Sequence, residues 1–150
     1  MNEEIRKQLR DAAEQIRAAE RARKEAESRA MEGLETILRC VRQQRGAGAT
    51  GQSMRLLRFV AGLYNGPRFP FDLTDLRGLD LRLSDACLDV LAYDRFGWAE
   101  IHKWGLADGD ELNKLFEEAG LYAEAEARRI ARELYQQQYP DGHEDEGMAE

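Results

Sequence analysis

The 150 residues include 22 Lys/Arg against 29 Asp/Glu, a formal net charge of −7, with 43% hydrophobic and 34% charged residues. That length suits one domain with an appendage, and the charge share points to long solvated helix faces. An acidic chain is repelled by nucleic-acid backbones, no apolar run approaches the roughly 18 residues that span a bilayer, and three prolines among abundant Ala, Leu, Glu and Arg favour an all-α fold.

Residues 1–45 read as one long amphipathic helix, with no Pro and a single Gly, Gly33. Its start, "MNEEIRKQLR", has no apolar stretch of the kind a secretory leader needs, so a cytoplasmic protein without membrane attachment is expected. Apolar side chains recur in alternating steps of four and three: Ile5, Leu9, Ala12, Ile16, Ala19, then Ala26, Ala30, Ile37 and Cys40. Arg23 and Gly33 interrupt the series. A second stripe, Met31, Leu34, Leu38 and Val41, follows one position over, as expected where a 3.6-residue helix meets a 3.5-residue seam. Glu3–Lys7, Glu20–Lys24, Glu25–Arg29 and Glu35–Arg39 are spaced to pair along the helix. A continuous helix here is about 65 Å long, too long for a compact body with a radius of gyration near 13 Å. It must project or find a partner. Ile5, Leu9, Ile16, Leu34, Ile37 and Leu38 are the expected contact residues. A homodimer through the seam, packing onto the chain's own body and contact with a different protein all remain open.

Residues 46–52 are glycine-rich and read as a hinge. A compact helical domain is expected over 53–138. Ser53 is a candidate N-cap for a helix to about residue 64, closed by Asn65-Gly66-Pro67. Asp72 stands where a cap belongs for the short turn "LTDLRG", and Asp80 for a helix of about 81–94 that turns Leu81, Ala86 or Cys87, Leu88, Leu91 and Ala92 inward. "GWAEIHKWG" reads as a short helix with Ile101 and at least one tryptophan packed. Asp108 or Asp110 starts a helix burying Leu112, Leu115 and Phe116. A last helix, 121–138, is expected to bury Leu121, Ala125, Ile130, Leu134 and Tyr135. Residues 139–150 are acidic, poor in apolar groups, and expected to be disordered. The charge divides unevenly: residues 1–45 hold 11 Lys/Arg and 9 Asp/Glu, a net of +2, and residues 46–150 hold 11 and 20, a net of −9.

The aspartates invite a catalytic reading, because two-metal and acid–base chemistry needs converging carboxylates. Asp72, Asp80 and Asp108 or Asp110 are accounted for by the backbone N–H groups and positive dipole of a helix start. Asp85 and Asp89 fit a solvated face, or an acidic face for a partner. "DGDELNKLFEE" has only part of a calcium loop. His102 and His143 with Cys40 and Cys87 give no zinc spacing. A triad of Ser53 or Ser84, His102 and an Asp lacks a nucleophile elbow, and no phosphate-binding glycine motif occurs. Neither catalytic residues, nor a metal, nor another cofactor is expected. Both cysteines read as small core residues.

"TGQSMRLLRFVAGLYN", then "FDLTDLRGLD" and "DACLDVL", over about residues 50–92, resembles a small uncharacterised bacterial family associated with plasmids and integrative elements. Members tend to carry Gly-Gly before F-D, where this chain has "PRFP". The resemblance implies a mobile-element accessory protein and brings no activity or site residues with it. The expected function is therefore a non-enzymatic protein-interaction module, in one version an inhibitor laying its acidic body on a basic host defence or nucleic-acid-binding complex. The alternatives are a DNA-associated regulator using the N-terminal helix and a metal-dependent hydrolase using the aspartates.

Overall fold

Helix α1, Glu3–Gln43, opens on Asn2, whose Oδ1 accepts the N–H groups of Glu4 and Ile5. Glu3 and Glu4 meet the positive end of its dipole. The computed structural model describes residues 2–46 and 50–140, and all the regular structure among them is helical. After α1 come α2 (Gly51–Tyr64), a 3-10 helix (Leu73–Gly78), α3 (Leu81–Asp94), a 3-10 turn (Ile101–Lys103), α4 (Gly109–Glu118) and α5 (Leu121–Gln138). The chain is all-α, with a long first helix and a compact helical region after it.

The core is built on the second half of α1. Ala30, Gly33, Leu34, Ile37, Leu38 and Val41 are buried there, so both apolar stripes turn inward. Helix α3 lies antiparallel along this half. Cys40 is near Arg82 and Asp80, Gly33 meets Ala86, and the Arg23 guanidinium sits 4.0 Å over the Trp98 ring. A Cβ on Gly33 would fall 2.8 Å from the Ala86 carbonyl oxygen. The glycine that looks like an interruption of the seam is the point where two backbones touch.

Helix α2 supplies Leu56, Leu57, Phe59, Val60 and Ala61 to the core, and α4 supplies Leu112, Leu115 and Phe116. Arg42 reaches from α1 to α4, donating to both carboxylate oxygens of Glu111 and to the Leu106 carbonyl. Arg45 pairs with Glu118 in the same way. The packed body thus takes in α1 from Ala30 onward, whereas the glycines suggest a boundary after residue 45.

Several expectations need correction. Thr50, not Ser53, caps α2. Ser53 lies inside the helix, fully buried, with its Oγ donating to the Gln44 carbonyl. This bond ties the start of α2 to the end of α1 where a free hinge is expected. Residues 47–49 of that hinge, and residues 141–150 of the acidic tail, lie outside the described residues. In α3 the inward face is Leu83, Ala86, Cys87, Val90 and Tyr93, while Leu81 and Leu88 are exposed. In α5 only Leu121 is buried, and Ile130, Leu134 and Tyr135 face out.

Candidate functional site

Three surfaces hold chemistry worth weighing: the aspartates, the clefts, and the unburied helix faces. The aspartates are engaged locally. Asp72 Oδ1 accepts from the Thr74 N–H and hydroxyl, and those two bonds hold its carboxyl below the usual range. Asp80 Oδ1 accepts from the Leu83 N–H at 2.9 Å, and Asp108 Oδ1 from the Glu111 N–H at 2.8 Å. Asp75 stands 3.9 Å from Arg55. Asp85 is exposed and Asp89 half-exposed on the side of α3 away from α1. Among the described residues no three His, Cys, Asp or Glu side chains are placed to hold a metal ion.

The histidine lies elsewhere. His102 meets the Tyr64 ring edge-on at 5.3 Å. Its Nδ1 is enclosed and makes no hydrogen bond; the nearest carboxylate oxygen, Glu100 Oε2, is 3.5 Å away. Tyr64 accepts from Asn113, and Asn113 accepts from the Tyr122 hydroxyl. The Ser53 hydroxyl donates to a backbone carbonyl, as does that of Ser84, to Leu81. Neither is bonded to His102. Cys87 is enclosed in the core, and burial pushes its thiol up to about 12. Cys40, half-buried, is raised by the same cause.

One open cleft, about 390 Å³, is lined by Pro67, Pro70, Ala125 and the arginines 68, 128, 129 and 132, with Glu126. Arg129 is held by Glu126 and Glu133, and Arg68 stacks over Tyr122. Of the four arginines, Arg129 is thus neutralised by carboxylates within the chain. A smaller apolar cleft of about 170 Å³ lies between Phe59, Phe71, Leu73 and Leu91.

The unburied faces are larger. Ile5, Leu9 and Ile16 are 47%, 58% and 66% exposed. They ride on the first half of α1, which extends beyond the α3 contact and holds its charges among themselves. Glu3 pairs with Arg6, and Glu14 with Arg17 and Arg21, rather than in the four-residue pairs that spacing suggests. Leu34, Ile37 and Leu38, grouped with them by sequence, are at most 1% exposed and belong to the core. The physical reason is that the body packs around the second half of α1, with α3 along its Gly33 face. Trp98 is an exposed aromatic that sequence did not single out. It is 67% exposed, under Arg23; its one signal was its place just past the Gly97 break.

A family model described as a family of unknown function (DUF7673) matches residues 31–120. No curated protein and no solved structure matches the chain. The matched span starts at the point where α1 enters the core and ends at the close of α4.

Proposed function

The chain belongs to the DUF7673 family, a family of unknown function, and on that premise we propose that it is a non-enzymatic protein-docking module of a mobile genetic element, acting in the cytoplasm. The observation that carries this reading is the first half of α1, a helical arm with Ile5, Leu9 and Ile16 in solvent. An ordered apolar stripe gains free energy only when something covers it. No helix among the described residues is long and apolar enough to cross a membrane, so a protein surface suits the arm better than a bilayer core.

The acidic body is the second contact. Asp85 and Asp89 lie on the outer side of α3, within described residues 50–140 that hold 11 Lys/Arg and 15 Asp/Glu, a net of −4. Such a surface complements a basic groove, including that of a host nucleic-acid-binding or defence complex, and steers association by charge. The likeness of residues 50–92 to a family of plasmids and integrative elements supports the mobile-element part.

The test is affinity capture from the native host, with the mass of what co-purifies. The wild-type chain should enrich a defined partner. Leu9→Glu with Ile16→Glu should reduce recovery at least tenfold, and Asp85→Asn with Asp89→Asn should remove its salt sensitivity. Equal recovery with all three baits would count against the reading. A rise in melting temperature on adding Mg²⁺ or Mn²⁺ would favour a metal-dependent enzyme instead.

A further inference from the structure

We propose that the free half of α1 pairs with the same half of a second copy, antiparallel, so that each arm tip covers the other copy's Arg23–Trp98 pair. The inference rests on the docking reading above and names the arm's partner.

Three observations carry it. First, the stripe resumes on the free side of Arg23. Ala26, Ala30, Gly33, Ile37 and Cys40 are the face of α1 that α3 already occupies in antiparallel fashion. Ile5, Leu9, Ala12, Ile16 and Ala19 continue that face in the same four–three steps, past the end of α3, and are exposed among the described residues. The unpartnered face thus extends an interface that exists within the chain.

Second, side-chain volumes choose the orientation. In a parallel pair, like positions face each other: Leu9 on Leu9 and Ile16 on Ile16, alternating with Ala12 on Ala12 and Ala19 on Ala19. One helix separation cannot fill both kinds of layer. Reversing one helix sets Leu9 against Ala19 and Ala12 against Ile16, large on small throughout. The same register brings Arg6 alongside Glu20 of the second copy, opposite charges flanking the seam.

Third, the register has a stop at each end. Sliding inward by seven residues would drive one arm onto Ala26, already packed against the body. Sliding outward by seven sets Ile5 against Ile16 and leaves Trp98 bare. Only the intermediate register lays Ile5 over the second copy's Arg23, beside Trp98, the most exposed aromatic side chain in the described body. The overlap of residues 5–23 is about 27 Å of helix, which belongs with small, transient interfaces.

The test uses the full chain. Sedimentation from micromolar to millimolar protein should move from 17.1 kDa toward twice that mass. Ile16→Glu should weaken association at least tenfold with an unchanged circular-dichroism melt, because that side chain is 66% exposed in the monomer and lies outside the core. Ile130→Glu, on α5, should not. Tryptophan emission should shift to the blue as dimer forms, and the shift should vanish in Trp98→Phe, which leaves only Trp104. Mixing Ala12→Cys with Ile16→Cys chains should give the mixed disulfide, mapped by mass, in excess over 12–12 and 16–16 bridges.

A mass fixed at 17.1 kDa throughout, or dominant 12–12 and 16–16 bridges, would overturn the proposal. If the chain stays monomeric while Ile16→Glu still loses a host protein in the capture experiment, self-pairing falls and the docking reading stands. If neither mass nor capture responds to the arm, both fall.

Discussion

Gly33 and Cys87 show how much one position can decide. Alanine is favoured over glycine by about 1 kcal/mol inside a helix. At Gly33 the added carbon meets the Ala86 carbonyl at 2.8 Å, and neither backbone can move without parting α1 from α3. Overpacking of this kind costs about 1–3 kcal/mol, so Gly33→Ala is expected to destabilise by up to about 2 kcal/mol net, read as a lower urea midpoint with an unchanged slope. Cys87 argues through pH. In the unfolded chain a thiol ionises near pH 8.5; in the folded chain this one ionises only near 12. Across that window the folded state keeps a proton the unfolded state has lost. Its stabilising contribution is therefore full below about pH 8.5 and declines as pH rises, by up to about 1.4 kcal/mol per unit. Cys87→Ala should flatten that decline in urea titrations between pH 8.5 and 10.5.

Among the helices, ends and faces obey different rules. Asp80 accepts the Leu83 N–H and so starts α3, while the Gln52 side chain accepts the Asp80 N–H. Asp80→Ala is expected to cost about 1 kcal/mol, whereas Asp85→Ala, on an exposed face without a partner, should stay within about 0.5 kcal/mol. Thermal melts of the two variants separate a capping role from a carboxylate cluster: equal losses would contradict it. The two halves of α1 differ as sharply. The second half is core; among the described residues the first half meets the body at its base, where Arg23 covers Trp98. Deleting residues 2–20 should lower helical ellipticity yet leave the melting temperature of the dilute monomer within about 2 °C. A drop of 10 °C would mean the arm supports the body.

Seen whole, the molecule is a body with a lever. Helix α1 alone spans about 61 Å over its 41 residues, against a radius of gyration near 15 Å for a compact chain of this length. Charge follows the same division, mixed along α1 and acidic beyond it. Much of this was legible in the residues. Proline scarcity and four–three spacing announced helices, and Asp72, Asp80 and one of Asp108 and Asp110 marked their starts, because caps act through backbone groups a few residues away. Those signals are local and need no fold to operate. Which stripe is covered is different in kind. Leu34 and Ile16 carry the same helical signal, and only the packing of the body buries one and leaves the other in water. Leu88 and Ile130 likewise look like core until the neighbouring helix proves to lie on another side. Periodicity records that a face is apolar, whereas burial depends on what the rest of the chain brings against it; the tertiary arrangement alone made the end of α1 a core and its beginning a surface.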